Sequence, residues 1–330
     1  MVIKNRSKTC LLISACIILV ALVMTIFGRG LNMGIDFEGG MSVQYDLKQD
    51  NVSRADVEKV LSDLDIGAFT ITQQGTSEVI IRVKDVKPVE NGSAPEGTPE
   101  NAPEGTTMTD IAAIGGTNGG NGSEDAAIEA IQAKISEGIM KAYPDAVLKN
   151  TSYVGPVAGA SLVKNAILSV LIAAVLMLIY IAIRFDLNSG LSAVFGLIHD
   201  VLIMLSIMII FQIQMNSPFI AAALTIVGYS INNTIVIFDR IRENAKKMPT
   251  APREEVTNVS IRESLGRTIC TTVTTLITVV LLCILGVASI REFALPIIIG
   301  IVAGVYSANM INGYVWAFLE EKRRARKAKA

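Results

Sequence analysis

Residues 218–244 read Pro-Phe-Ile-Ala-Ala-Ala-Leu-Thr-Ile-Val-Gly-Tyr-Ser-Ile-Asn-Asn-Thr-Ile-Val-Ile-Phe-Asp-Arg-Ile-Arg-Glu-Asn. From Pro218 to Phe238 there is no charge, and then Asp239, Arg240, Arg242 and Glu243 arrive within five positions. A helix rises about 1.5 Å per residue, so roughly 20 apolar residues cross the hydrocarbon of a bilayer. This stretch therefore predicts a membrane span that leaves the bilayer at Asp239. Comparable apolar runs lie at 9–27, 163–183, 190–211, 268–288 and 293–316. The whole chain of 330 residues is 51% hydrophobic and 18% charged, whereas soluble domains carry about 25% charged residues. Six runs of this length exceed what the helices of a soluble core require.

The first run has a basic start at Lys4, Arg6 and Lys8, as a secretory signal has. It is long for such a signal, and Phe27-Gly28-Arg29-Gly30 follows rather than a small-residue cleavage site, so it is expected to remain as a helix. Net charge is −1, but residues 29–160 hold 10 Lys and Arg against 20 Asp and Glu. The basic clusters fall at Lys4–Lys8, Arg240–Arg253 and Lys322–Lys329. The bias of Lys and Arg toward the cytoplasmic side puts both termini there and residues 29–160 outside. The expected organisation is a cytoplasmic N-terminus 1–8, a first span 9–28, an extracytoplasmic domain 29–160, five spans within 161–318 and a basic cytoplasmic tail 319–330. Cys10, Cys16, Cys270 and Cys283 all sit in or beside apolar runs, so they imply no disulfide framework.

Within 29–160 the pattern alternates strand and helix. Met41–Leu47 has period two, Ser53 caps a helix to about Leu64 with Asp56 at the capping-box position, and Ala68–Gln73 and Glu78–Val86 read as paired strands. A helix near Glu124–Ala142 and a strand at Ala146–Val154 complete a βαββαβ order. That order is the split βαβ plan, so the fold class expected is a membrane all-α six-helix bundle with an inserted ferredoxin-like α+β domain. Residues 88–123 are rich in Pro, Glu, Gly and Thr and poor in apolar residues, so they are expected to be a disordered insertion. The domain has no metal-spaced Cys or His, no phosphate loop and no nucleophile motif. No catalytic residue, metal, cofactor or nucleic-acid partner is predicted, and the chain does not read as an enzyme.

Ionisable groups at bilayer depth are costly, so they are candidate functional residues. His199, the only histidine, and Asp200 lie near the middle of the third run. Adjacent residues on a helix are about 100° apart, which predicts that these two side chains point in different directions. Asn232 and Asn233 fall in the cytoplasmic half of the fourth run, and Arg267 heads the Thr-rich fifth run. Gly300 and Gly304 form a small-xxx-small step for close helix packing, with Asn309 and Asn312 beyond. Each of these has a competing reading as a satisfied packing residue or polar glue between helices.

In order and membrane placement these residues resemble the SecF family, the smaller half of the SecDF export motor in the RND superfamily. The matching parts are Gly30-Leu31-Asn32-Met33-Gly34-Ile35-Asp36-Phe37-Glu38-Gly39-Gly40, then Arg184-Phe185 and His199-Asp200. Gly228–Asn233 running into Asp239-Arg240-Ile241-Arg242-Glu243-Asn244, and Arg267 followed by threonines, complete the set. The resemblance implies pairing with SecD, action beside the SecYEG channel and an exported unfolded polypeptide as client, with the proton gradient as the energy source, in a bacterial cell membrane. One position departs: the family commonly carries Asp where this chain has Asn233, and an amide does not titrate. SecD then supplies the titrating group, Asp200 takes part of the work, or coupling is weakened. Competing functions are half of an RND-type exporter of lipids or small molecules, and a membrane scaffold that moves no protons.

Overall fold

The computed structural model describes residues 4–49, 52–64, 66–74, 77–84 and 122–327. In chain order the elements are α1 (Lys4–Ile26), α2 (Ile35–Glu38), β1 (Gly40–Asp46), α3 (Arg54–Ser62), β2 (Phe69–Gln74), β3 (Glu78–Val83), α4 (Gly122–Ala142) and β4 (Val147–Val154). There follow α5 (Pro156–Arg184), α6 (Leu187–Ile210), α7 (Ser217–Lys247), α8 (Arg253–Leu285), α9 (Ala288–Ser307), a π turn (Ala308–Asn312) and α10 (Gly313–Lys327). They form two compact units, a helical one of Met1–Phe37 and Ala160–Ala330 and an α+β one of Glu38–Gly159. Residues 29–37, expected in the exterior domain, thus belong to the helical unit. Of the expected insertion 88–123, residues 88–121 lie outside the described residues, and Gly122 and Ser123 already belong to α4.

The α+β unit is a four-stranded sheet in the order β2-β3-β1-β4, with every neighbouring pair antiparallel. Alternation along β1 decides its faces: Met41, Val43 and Tyr45 are fully buried, and they meet Val57 and Leu61 of α3 and Ile135 and Ile139 of α4. Val43 lies opposite Ile81 of β3 and Thr151 of β4, which fixes the register at the centre of the sheet. A one-residue slip would turn the whole apolar set outward. Burying each such aliphatic side chain contributes about 1.5–3 kcal/mol. Gly39 and Gly40 enter β1 at φ 82° and 127°, where a side chain is strained. The cap of α3 is the Ser53 hydroxyl accepting from Ala55 N at 3.2 Å. At the end of β1 the Asp46 carboxylate takes the Lys48 ammonium at 3.0 Å and the Lys48 N–H at 3.2 Å. These bonds hold its pKa well below the usual carboxylate range.

Among the described residues six stretches are long and apolar enough to cross a membrane: Ser7–Ile26, Ala158–Arg184, Leu187–Ile210, Ser217–Lys247, Arg253–Leu285 and Ile290–Arg326. The helices overrun the apolar runs. The fifth begins at Arg253 rather than near Thr268, because Val256 and Ile261 pack with Ile241 and Trp316 and keep the polar stretch helical. The last continues through the π turn to Lys327, so most of the tail expected at 319–330 is helix. α6, α7 and α9 form the packed centre. A Cβ on Gly300 would lie 2.5 Å from Ile226 Cγ1, and one on Gly304 would lie 3.3 Å from Ser230 Cβ, so α7 and α9 approach as the small-residue step predicts. Outward faces of α1, α5 and α8 expose Leu12, Leu22, Leu176, Ile183, Ile277 and Leu285. Such apolar surface suits lipid or another spanning subunit rather than water.

The segment after α1 is laced onto the α6–α7 loop. Asn32 Nδ2 donates to Gln212 O at 3.0 Å, Met215 N to Asn32 O at 2.9 Å and Gly34 N to Met215 O at 2.7 Å. A Cβ on Gly34 would sit 1.6 Å from Asn216 Oδ1, so a side chain there displaces the Asn216 amide that bonds Glu292. Asp36 Oδ2 accepts from Ser217 N at 2.7 Å, placing a carboxylate on the first turn of α7, where free N–H groups and the helix dipole favour a negative charge.

Candidate functional site

The polar side chains predicted at bilayer depth separate into a buried cluster and an exposed stripe. Asp200 of α6 is the centre of the cluster and is completely buried. Its Oδ2 accepts from the Ser230 hydroxyl of α7 and from Ser307 Oγ of α9 at 2.9 Å. Its Oδ1 lies 2.9 Å from His199 Nδ1, and His199 Nε2 lies 2.8 Å from Ser14 Oγ of α1. The expectation that His199 and Asp200 point apart is corrected here. The 100° step fixes where the Cα–Cβ bonds leave the helix, but both side chains bend so that their polar tips meet. The His199 ring also stacks on Tyr306, with centroids 6.3 Å apart, and Tyr306 Oη donates to Cys10 O at 2.7 Å. A hydrogen-bonded row thus runs from α1 through α6 to α7 and α9.

This arrangement answers the cost of burying a carboxylate. With no water in hydrocarbon, each lone pair needs a protein donor, and charge-assisted bonds are the strong ones. Two hydroxyls from α7 and α9 and one imidazole from α6 itself supply them. Serine suits the task because its short side chain lets α7 and α9 close around α6. The sequence reading passed over Ser230 and Ser307 as partners of Asp200 and Ser14 as a partner of His199. Their one available signal was spacing: Ser307 follows Gly304 by three residues, on the same helical face as the small-residue step.

A second layer lies next to it. Asn312 Nδ2 donates to Thr234 Oγ1 at 2.9 Å, Thr234 Oγ1 donates to Ser230 O at 3.1 Å, and the Ser192 hydroxyl donates to Asn312 O. Asn312 ends the π turn, whose extra residue lets Ser307 and Asn312 both face inward. A Cβ on Gly196 would lie 2.2 Å from Asn312 Oδ1, so α6 must be bare at that point. Asn233 is buried at 2% exposure, and its Nδ2 has no hydrogen-bond partner among the described residues. Asn309 Oδ1 and Asn312 Oδ1 also lack one there. These three orphan amide atoms mark polar positions that the described residues do not close.

Asn232 and Arg267, also predicted, do not join the cluster; both are exposed. Tyr229 Oη donates to Thr271 O at 3.3 Å, Arg240 Nε to Glu263 Oε2 at 2.7 Å and Asn244 Nδ2 to Ser260 Oγ at 3.0 Å. These links show α7 and α8 antiparallel and set Arg267 level with Asn232 and Asn233. Arg267 lies 14 residues into α8, about 21 Å along the helix at 1.5 Å per residue, not at its head. The exposed Thr271, Thr274 and Thr278 bond to carbonyls one turn back on their own helix. Of the exit motif, Arg240, Glu243 and Asn244 tie α7 to α8 or to Lys247, Arg242 Nη1 reaches Arg184 O at 3.4 Å, and Asp239 is exposed. The four cysteines are free thiols, and no group of three or more His, Cys, Asp or Glu that could hold a metal occurs among the described residues.

A family model described as Protein export membrane protein SecD/SecF, C-terminal, matches residues 134–322, and the SecD/SecF GG Motif matches residues 25–50. Protein translocase subunit SecF of Rhodothermus marinus is 34% identical over 98% of this chain and 94% of its own length. The chain belongs to the SecF family. Protein translocase subunit SecDF of Thermus thermophilus is 41% identical over 175 residues, which are 53% of this chain and 24% of that protein. A crystal structure of Thermus SecDF, a translocon-associated membrane protein, matches with a TM-score of 0.74 at 27% identity, over 96% of this chain and 38% of that one. The chain spans about two fifths of that SecDF chain. The GG Motif match takes in Gly39 and Gly40 at the start of β1, and the C-terminal match takes in Asp200, Ser230 and Ser307 and the α7–α8 stripe.

Proposed function

We propose that this chain is a non-enzymatic accessory subunit of Sec protein export in a bacterial cell membrane. It pairs with SecD, acts beside SecYEG and uses the proton gradient to promote movement or release of exported polypeptides. The observation that carries the reading is the pair Asn232 and Arg267, left exposed beside a run of threonines on helices apolar enough to cross a membrane. Lipid does not satisfy such groups, and a complementary helical subunit does. SecDF relatives, in which a chain like this one makes up part of a longer polypeptide, support SecD as that subunit. Both termini are cytoplasmic, and residues 38–159 form the outside domain. Its strand order β2-β3-β1-β4 supports the ferredoxin-like reading of that domain.

The test has two parts. The chain is purified from native membranes in mild detergent, and SecD copurifies with it. Proton-gradient-dependent export is measured in vesicles with and without it, and the gradient dependence falls in its absence. Recovery of a stable monomer from membranes containing SecD, with gradient dependence unchanged, refutes the reading. Cysteine probes at Gly92 and Ala102 label from outside and one at Lys247 does not; the reverse overturns the orientation. A second reading, a scaffold that moves no protons, draws on Asn233, which has no proton to exchange. In that case export keeps its gradient dependence when Asp200 is replaced by Asn.

A further inference from the structure

The helical unit contains a groove of about 410 Å³ whose accessible lining is wholly apolar. It is lined by Met33 and Phe37, by Met204 of α6 and Phe219 of α7, and by Val163 and Val170 of α5. Its size lies within the range of about 300–1,000 Å³ usual for small-molecule sites. It belongs neither to the Asp200 cluster nor to the α7–α8 stripe. α5 buries Ile181 near its C-terminal end, whereas Ile167 and Leu171 on the groove side are exposed. The groove is thus continuous with the outward apolar face of a helix long enough to span a membrane. At the end where α1 stops and α5 starts, two basic residues flank it in sequence. Arg29 precedes the lining residue Leu31 by two positions, Lys164 adjoins Val163, and both are exposed.

We propose that this groove holds one acyl chain of an anionic membrane phospholipid, with its phosphate beside Arg29 and Lys164. The lining offers no polar atom to a sugar, nucleotide or peptide backbone, which excludes ligands that must be hydrogen-bonded when buried. An acyl chain needs no such partner, and the bilayer supplies it along the exposed side of α5. Charge complementarity selects the headgroup: a cation near the membrane surface favours an anionic lipid. The lipid acts as a removable wedge, filling the space between α5 and the α6–α7 pair.

The experiment uses the full chain in nanodiscs of phosphatidylethanolamine and phosphatidylglycerol, with a phosphatidylglycerol probe carrying a diazirine in its acyl chain. Illumination and peptide mapping place adducts on Met204, Met215 and Phe219. Ala166→Phe, which narrows the groove from α5, removes those adducts while labelling of the exposed face around Leu176 persists. The surface variants Arg29→Gln and Lys164→Gln fold normally and each lower the preference for the phosphatidylglycerol probe over a phosphatidylethanolamine probe about fivefold, the factor equivalent to about 1 kcal/mol per basic residue. Uniform labelling along α5 that Ala166→Phe leaves unchanged overturns the proposal. So does an unaltered headgroup preference in both charge variants. In native membranes a photoreactive residue at Ala166 crosslinks to lipid; crosslinking to a protein instead assigns the groove to a partner's helix and also overturns it.

Discussion

Replacing Asp200 by Asn tests whether the buried cluster is held by hydrogen-bond geometry or by charge. Oδ2 accepts from Ser230 and Ser307, and Oδ1 faces His199 Nδ1 at 2.9 Å. In Asp200→Asn the amide oxygen takes the Oδ2 position and keeps both serine bonds. The new NH₂ then faces Nδ1, which accepts only in the tautomer protonated at Nε2. That tautomer is available, because Nε2 lies 2.8 Å from Ser14 Oγ, and a hydroxyl accepts as readily as it donates. The third bond therefore re-forms with its direction reversed, and the cost is about 1 kcal/mol or less. Asp200→Ala removes all three bonds. Hydrogen bonds between membrane helices average about 0.6 kcal/mol and reach about 1.7, so that loss is about 2–5 kcal/mol. Thermal or detergent-induced unfolding in mild micelles measures the difference. Because His199 is the only histidine, ¹⁵N-histidine labelling reads its tautomer directly. Equal destabilisation by Asn and Ala, or an imidazole unchanged between the native protein and Asp200→Asn, refutes the reasoning.

Gly300→Ala places Cβ 2.5 Å from Ile226 Cγ1 and 2.8 Å from its Cγ2, so no rotation of the branched side chain clears both, and it costs about 1–3 kcal/mol by overpacking. Gly304→Ala meets Ser230 Cβ at 3.3 Å and costs less, so unfolding of the two variants ranks them. The segment 38–159 folds alone by circular dichroism, since its core is complete within it. Its Asp46 has a folded-state pKa below the unfolded value, so its stabilisation is present above about pH 4 and is lost as pH falls from there. Asp46→Asn flattens that acid limb of a stability–pH curve. Asn233→Asp strengthens the gradient dependence of export when the neighbouring path is intact, and leaves it unchanged when proton handling lies wholly with a partner.

The spans and the α+β elements were legible because each rests on a local period. Uncharged runs of about 20 residues mark helices in lipid, and the alternation along Met41–Tyr45 marks a strand. Boundaries were less legible where tertiary contact overrides composition. Arg253–Ser264 is polar enough to read as a loop, yet Val256 and Ile261 anchor it as helix against Trp316. The short helix α2 and the lacing of residues 30–36 to the α6–α7 loop were invisible, because partners about 180 positions apart leave no periodic trace. The candidate site was half legible. Cost alone pointed to His199, Asp200, Asn233 and Arg267, since an ionisable or amide group in hydrocarbon requires a reason. Which of them meet was not readable, because serine is common and its pairing with Asp200 depends on helix packing.

The division of polar groups bears on how such a subunit works. Asp200 is completely buried and is served by donors from α7, α9 and its own helix, and the row through His199 and Ser14 links it to α1. The α7–α8 stripe is the opposite case, exposed, with its threonines bonded only along their own helix, and so open to groups from outside. Asn233 stands between them, on the same helix as Ser230 and level with Arg267, with its amide nitrogen orphaned. Asn233 is buried and its neighbour Asn232 is exposed, so a rigid movement of α7 acts on the core and the open face together, with no titration at Asn233. The π turn at Ala308–Asn312 is the element suited to that movement. Its two ends carry both holds, Ser307 on Asp200 and Asn312 on Thr234, so a movement of the turn acts on the two layers together.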